Sequence, residues 1–112
     1  MNMTRETHPD LPDTIARYFA TSDRAEAAML FAPDAEVKDE GHRHKGFAEI
    51  QDWLASVEQR YRPRYRVLGA QPDGAATIVR FEVSGTFPGS PAILQQKFTL
   101  DAAGRIASLE TL

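Results

Sequence analysis

The sequence predicts an α+β domain, with helices in its first half and an antiparallel sheet in its second. Before residue 62, apolar side chains recur at spacings of three and four, which is the period of an amphipathic helix. Beyond residue 64 they alternate with polar side chains between turn sequences, which is typical of β-strands. Helices and strands that are segregated along a chain in this way indicate the α+β class.

The first helix is predicted to begin close to Pro12, which the first turn of a helix tolerates because its amides have no partners to lose. Asp10 or Asp13 can cap it. Residues 1–10 are expected to form a flexible polar tail, so that one domain covers residues 11–112. The apolar face of this helix consists of Ile15, Tyr18 and Phe19.

A second helix is predicted over residues 24–31, a segment rich in strong helix formers. Ser22 or Asp23 can cap it, and we expect Pro33 to end it. Residues 35–39 then form a short predicted strand.

The third helix is predicted over Phe47 to about Arg60, directly after Gly46. Trp53 flanks its apolar stripe, and Val37 of the preceding strand is expected to point inward. The stripe, with spacings of three and four, consists of Phe47, Ile50, Leu54, Val57 and Tyr61.

Four strands complete the domain as an antiparallel meander. Asp73-Gly74 is a strong hairpin sequence, and a turn with two prolines covers residues 87–91. In the second of these strands, Val79 and Phe81 share a face with Thr77 and Val83. The predicted strands are residues 65–70, 75–86, 93–100 and 105–112.

Composition excludes several classes of function. The chain has 112 residues, a formal net charge of −3 and no cysteine, so a thiol nucleophile, a thiolate zinc site and a general nucleic-acid surface are not expected. Four arginines alternate with tyrosine and proline in residues 60–66, but we interpret them as a helix end followed by the solvent side of a strand. No apolar run is long enough to span a membrane, and the lack of cysteine suits a cytoplasmic location.

Three segments carry a family resemblance. The sequences FAPDAEVKDEG, HKGFAEIQDWL and VSGTFPGSPAILQQKFTLDAAGRIASLETL resemble the SnoaL-like branch of the nuclear transport factor 2-like superfamily. The last segment is similar to a subgroup of small, mostly uncharacterised bacterial proteins. The resemblance covers roughly residues 11–112, and it is specific for the fold and nearly silent on chemistry.

The resemblance implies a cone in which a strongly curved, mostly antiparallel sheet wraps around three helices and leaves a central apolar pocket. It also implies a homodimer formed through the open face of the sheet, a face that needs some cover in any case. The expected ligand is a small, largely apolar molecule, with no cofactor. The residues predicted to line the pocket are Tyr18, Phe19, Val37, Trp53, Tyr61, Arg80 and Phe98.

Asp39 and His44 are the predicted catalytic residues. In related enzymes a carboxylate near this position moves a proton, and an imidazole partner lets the pair act near neutral pH. The alternative for Asp39 is to accept hydrogen bonds from the amides of residues 41–44, and for His44 to bridge the strand and the next helix. A metal site made from Asp39, Glu40, His42 and His44 is the weaker interpretation, because a third well-placed ligand is missing and Gly41 suggests a turn.

These observations leave two classes of function open. The first is a cofactor-free, general acid–base isomerase, cyclase or dehydratase that acts on a small apolar carbonyl compound. The second is a ligand-binding or dimerisation module without catalysis. A pocket large enough for a ligand, with Asp39 and His44 in reach of one another, would favour the first class.

Overall fold

Three helices and six strands follow one another in the described part of the chain, residues 11–112 of this computed structural model. The predicted tail of residues 1–10 lies outside the described residues. The helices are α1 (Asp13–Ala20), α2 (Arg24–Ala28) and α3 (Phe47–Tyr61). The strands are β1 (Phe31–Asp39), β2 (His42–Lys45), β3 (Arg64–Asp73), β4 (Ala76–Ser84), β5 (Ala92–Leu100) and β6 (Ile106–Thr111).

All six strands form one curled, unclosed sheet in the order β2-β1-β6-β5-β4-β3. Strands β1 and β6 pair in parallel, and every other neighbouring pair is antiparallel. The predicted α+β class and the predicted meander are therefore confirmed. The meander begins with the β3–β4 hairpin, whose turn contains Gly74 at a positive φ of 63°.

The core lies between the three helices and the inner face of the sheet. On β4, Val79, Phe81 and Val83 point inward and are buried, because alternate residues of a strand face the same side. Val37 is also fully buried, as the sequence predicts. The largest side chains buried against them are Ile15, Tyr18, Ile50, Leu54, Phe98, Ile106 and Leu109.

The second helix is much shorter than predicted. Asp23 caps it, since its carboxylate accepts hydrogen bonds from the amides of Ala25 and Glu26, but α2 ends at Ala28 rather than at Pro33. Phe31 is buried in the core as the first residue of β1. Pro33 is accommodated inside β1 because the pairing with β6 is irregular between Phe31 and Glu36, where a missing amide does not break a ladder.

Two further details differ from the predictions. Strand β2 was not predicted, because His42–Lys45 is short and polar; it is formed by a two-residue hairpin turn in which Glu40 and Gly41 both have positive φ. Phe47 is 40% exposed rather than part of the core, so the apolar stripe of α3 reaches the sheet only from Ile50 onward.

The turn after β4 is docked on the end of α3. The amide of Thr86 donates a 2.8 Å hydrogen bond to the carbonyl oxygen of Tyr61, and the amide of Gly85 donates to the Ser90 hydroxyl at 2.9 Å. A Cβ atom on Gly85 would collide with the carbonyl oxygen of Tyr61. The close approach of two backbones therefore requires glycine here.

We expect Gly85→Ala to lower the free energy of unfolding by about 2–3 kcal/mol, because the added methyl group must push the turn away from α3. Urea denaturation followed by circular dichroism measures the change. Gly69→Ala is the matched control, since a Cβ atom at Gly69 would meet no atom within 4 Å. Equal stabilities for the two variants would contradict the proposed packing of the turn.

Candidate functional site

A cavity of about 430 Å³ opens between α3 and the inner face of the sheet. This volume lies in the range of small-molecule sites. None of the described residues that line it is a lysine, arginine or histidine. Its wall is mostly apolar and aromatic, and it consists of Tyr18, Asp39, Glu40, Trp53, Leu54, Val57, Tyr61, Pro63, Tyr65, Phe81, Val83, Phe87, Pro88, Ala92, Leu94, Gln96 and Thr111.

Two carboxylates, Asp39 and Glu40, line this wall, and Asp39 is the one that is hydrogen-bonded to a core residue. It is the last residue of β1 and half-buried, and its Oδ2 atom accepts a hydrogen bond of 3.1 Å from Nε1 of Trp53. Trp53 is itself 8% exposed, so its indole ring is fixed by the surrounding core. The contact joins the end of β1 to the middle of α3 and leaves the Oδ1 atom of Asp39 without a hydrogen bond from any described residue.

His44 does not pair with Asp39. It lies opposite Val37 on β2, and its ring stacks on that of Trp53 with a centroid distance of 5.9 Å and an interplanar angle of 29°. Within residues 11–112, neither a hydrogen bond nor an ion pair joins His44 to Asp39, and His44 is not part of the cavity wall. The two predicted catalytic residues therefore both contact Trp53, Asp39 at the indole nitrogen and His44 at the face of the ring, but they do not contact each other through a hydrogen bond.

Two phenol groups face the cavity without a partner. Tyr18 of α1 and Tyr65 of β3 both line it, and neither hydroxyl makes a hydrogen bond to another described residue. Burial is the main reason why the pKa of Tyr18 lies well above its usual value, and burial also raises the pKa of Tyr65. The neighbouring Asp39 carboxylate contributes to both shifts. Both phenols therefore remain protonated and can donate hydrogen bonds at neutral pH.

Packing between aromatic rings holds these phenols in place. The ring of Tyr18 makes an edge contact with that of Phe98 at 5.5 Å, and the ring of Tyr65 does so with that of Phe81 at 5.7 Å. Phe19 lies between the two groups, 5.2 Å from Tyr18 and 5.8 Å from Tyr65. Edge-to-face pairs of this kind restrict the rings to one orientation.

Glu40 and Tyr61 form part of the cavity mouth. The Tyr61 hydroxyl donates a hydrogen bond of 3.1 Å to one carboxylate oxygen of Glu40, and Arg60 approaches the other at 3.4 Å. Phe87, from the turn docked on α3, packs edge-on against the Tyr61 ring at 5.8 Å. Glu40, which the sequence analysis names only in the weaker metal-site interpretation, thus links the β1–β2 turn to the end of α3.

The remaining predicted pocket residues lie elsewhere. Phe19, Val37 and Phe98 are buried in the core and do not line the cavity. Arg80 is exposed on the outer face of β4, because its neighbours Val79 and Phe81 take the inner face. Of the predicted lining residues, the cavity wall includes Tyr18, Trp53 and Tyr61.

Several residues of the wall were not predicted. The polar or aromatic ones among them are Glu40, Tyr65, Phe81, Phe87, Gln96 and Thr111. Gln96 could have been found from the position of Phe98, since residues two apart in a strand share a face and Phe98 points inward. The turn residue Phe87 has no such periodic signal.

The sequence and the fold can be compared with those of known proteins. The sequence profile of the SnoaL-like domain matches residues 13–108. The chain belongs to the SnoaL-like family. No protein of curated function matches the sequence. In the part of the chain that the structure describes, no helix is both long and apolar enough to cross a membrane, and no group of three potential metal ligands occurs.

Solved structures agree with this assignment. A protein described as a candidate polyketide cyclase from Sinorhizobium meliloti is 40% identical, with a TM-score of 0.85, and the match covers 91% of this chain and 95% of that one. The epoxide hydrolase/cyclase-like enzyme SalBIII, which acts in pyran ring formation in salinomycin, is 18% identical, with a TM-score of 0.77 over 89% and 87% of the two chains. A protein with a ketosteroid isomerase-like fold from Catenulispora acidiphila, solved with trimethylamine, is 20% identical, with a TM-score of 0.70 over 95% and 86%.

The phenol groups of this SnoaL-like domain should lose their protons at a higher pH than free tyrosine does. All three tyrosines of the chain, Tyr18, Tyr61 and Tyr65, have a raised pKa in the folded state. Absorbance at 295 nm should therefore rise at higher pH for the native protein than for the protein in urea, where tyrosine ionises near pH 10. Because the folded state retains these protons longer, its stability should fall as the pH rises above about 10.

Tyr18→Phe should remove the component that titrates last, since Tyr18 is the most deeply buried of the three. Tyr61→Phe serves as the control, because Tyr61 lies at the mouth. A native titration curve that coincides with the curve in urea would contradict the burial of these phenols.

Proposed function

We propose that this SnoaL-like domain binds a small, largely apolar carbonyl compound and catalyses a cofactor-free proton transfer at the carbon next to the carbonyl group. One observation carries the proposal: the Asp39 carboxylate and two unpartnered phenols, Tyr18 and Tyr65, share the wall of one apolar cavity. A carboxylate can remove a proton, and phenols can donate hydrogen bonds to the oxygen on which negative charge develops.

The step begins with Asp39 as the base. Its Oδ1 atom takes the proton, the electron pair of the broken C–H bond forms the carbon–carbon double bond of an enolate, and the carbonyl electron pair moves to oxygen. The phenols of Tyr18 and Tyr65 donate hydrogen bonds to that oxygen. Asp39 is then a neutral carboxylic acid that can return the proton.

The proton on Asp39 can be returned in two ways, which give two types of product. In an isomerisation, the substrate contains a carbon–carbon double bond that becomes conjugated with the enolate, and Asp39 returns the proton to the far end of this dienolate, which shifts the double bond. In a cyclisation, the enolate carbon attacks a second carbonyl group of the same molecule, and the new alkoxide receives the proton from Asp39. The candidate cyclase from S. meliloti and SalBIII support the cyclase type of chemistry, the second of them through the fold alone.

Trp53 acts in this proposal as a positioning residue. Its Nε1–H group binds the Oδ2 atom of Asp39, so the carboxylate cannot rotate freely and Oδ1 is kept for the proton. His44 supports the indole ring by stacking on its face. Orientation of a reacting group in this way removes part of the entropic barrier.

A second candidate function is ligand binding without catalysis. It is favoured by the separation of His44 from Asp39, which leaves the carboxylate without an imidazole partner. The trimethylamine complex of the C. acidiphila protein is consistent with a fold that accommodates small molecules. In this alternative Asp39 and the phenols orient the ligand only.

Deuterium exchange tests the chemistry without knowledge of the natural substrate. We expect the protein to accelerate exchange of the acidic protons of 2-tetralone in heavy water, followed by NMR, and Asp39→Asn to lower the protein-dependent rate by about 10²–10⁴-fold. Asp52→Asn is the matched control, because Asp52 is an exposed residue of α3 outside the cavity. Undiminished exchange by Asp39→Asn would exclude Asp39 as the base, whereas binding without exchange would favour the second function.

We also propose that the protein is a cytoplasmic homodimer that pairs through the outer face of its sheet. Ile93 on this face is 52% exposed, and Ile78 of the neighbouring strand is half-buried. Sedimentation at micromolar concentration should give twice the chain mass, and Ile93→Lys should shift the equilibrium toward the monomer. Met29→Lys is the control, since Met29 is exposed at the end of α2. A wild-type monomer under these conditions would end the dimer proposal.

A further inference from the structure

Gln96 is the one buried polar residue of the described core. It lies on the inner face of β5, where it is 8% exposed, and it forms part of the cavity wall. Its Nε2 atom donates a hydrogen bond of 3.0 Å to the hydroxyl of Thr111 on β6. Its Oε1 atom has no hydrogen-bond partner and is shielded from solvent.

A buried acceptor without a partner lowers the stability of the folded protein, because it has lost its hydrogen bond to water and gained none in return. A leucine or methionine of similar size would fill the same space without this cost. The residues that precede and follow Gln96 on the inner face of β5, Leu94 and Phe98, are apolar. Gln96 is therefore a departure from the apolar pattern that packing alone would favour, and such groups call for a functional explanation.

The position of Gln96 relates it to Asp39. Strand β1 pairs in parallel with β6 up to Lys38 and Glu110, which brings Asp39 beside Thr111, and Thr111 pairs with Gln96. The three residues thus form a row across neighbouring strands. Because strands are separated by about 4.8 Å, the backbones at Asp39 and Gln96 are about 10 Å apart. A ligand with one or two rings can reach both.

The amide of Gln96 has one end free in either orientation. If the amide is turned over, the Thr111 hydroxyl can donate to Oε1, and Nε2 then lacks an acceptor. The terminal torsion of glutamine is broad, so a small rotation exposes the free end to the cavity. A hydroxyl group can both donate and accept, and it satisfies the amide in either orientation.

We infer that Gln96 is a specificity-determining residue that recognises a hydroxyl group on the ligand, at the end remote from the group that meets Asp39. The inference rests on the proposed function for the carbonyl end of the ligand only. It narrows the substrate class from apolar carbonyl compounds to hydroxylated ones, such as phenolic or alcoholic ketones. Its basis is the orphaned amide in the cavity wall and the row that Gln96 forms with Thr111 and Asp39.

The first test measures the ligand-free protein. If Gln96 serves ligand recognition, Gln96→Leu should unfold at the same temperature as the wild type or at a higher one, because the orphaned acceptor is gone. Gln95→Leu is the matched control, since Gln95 is the exposed neighbour on the outer face of β5. A midpoint for Gln96→Leu clearly below those of the wild type and Gln95→Leu would assign Gln96 to structure and overturn the inference.

The second test measures specificity. Trp53, the single tryptophan of the chain, lines the cavity, so its fluorescence can follow binding of 2-tetralone and 6-hydroxy-2-tetralone. The wild type should bind the hydroxylated compound about tenfold more tightly, which corresponds to one good hydrogen bond, and Gln96→Leu should bind the two equally. If the tetralones bind, the absence of a preference in the wild type, or a preference that persists in Gln96→Leu, would overturn the inference.

A second pair of compounds separates this inference from the proposed function. Naphthalene and 2-naphthol have the same skeleton without a carbonyl group. If neither tetralone binds, the proposed carbonyl chemistry fails. The role of Gln96 is still supported in that case if the wild type prefers 2-naphthol to naphthalene and Gln96→Leu does not. The absence of that preference as well would overturn it.

Discussion

The cavity exists because the helices cover only part of the inner face of the sheet. At one end of β5, Phe98 is 1% exposed beneath α1, whereas Leu94, four residues earlier on the same face, is 37% exposed. Helix α3 has 15 residues and is about 22 Å long, but α1 and α2 together contribute only a few turns. A curled sheet with such short covering helices leaves a hollow that water or a ligand must fill.

The polar groups of the site lie along the boundary of this hollow. Asp39 is the last residue of β1, and its carboxylate is anchored to the core by Trp53. Tyr18 and Tyr65 reach the same space from the helical side and from the edge strand β3. The two phenol rings are fixed by aromatic packing and Asp39 by its hydrogen bond to the buried Trp53. The arrangement of the site therefore follows from the core that surrounds it rather than from contacts among its polar groups.

Much of the fold could be predicted from the sequence, because it rests on local signals. The stripe of α3, the Asp73-Gly74 turn and the alternation in β4 each involve residues that are close along the chain. The predicted end of α2 was wrong. Helix formers in residues 24–31 favoured a longer helix, but the chain buries Phe31 in the core as part of β1. Tertiary packing of one aromatic side chain outweighed the helix propensity of its neighbours.

The site could be predicted only in part. Tyr18, Trp53 and Tyr61 belong to elements with a clear apolar face, and they line the cavity. The expected partnership of Asp39 and His44 rested on their closeness in sequence, but β2 directs His44 onto the Trp53 ring. The row that contains Thr111 and Gln96 depends on strand order, which local patterns do not contain.

The parallel pairing of β1 with β6 also has a consequence for the order of folding. These two strands, residues 31–39 and 106–111, are far apart in the sequence, yet they are neighbours near the centre of the sheet. The contact between Asp39 and Trp53 can form early, since it spans 14 residues, whereas the wall beside it requires loop closure over most of the domain. Residues of β3, β4, β5 and β6 all contribute to this wall, and each is far from Asp39 in the sequence. The pairing of β6 with both β1 and β5 thus completes the sheet beside Asp39 and places Thr111 in the cavity wall.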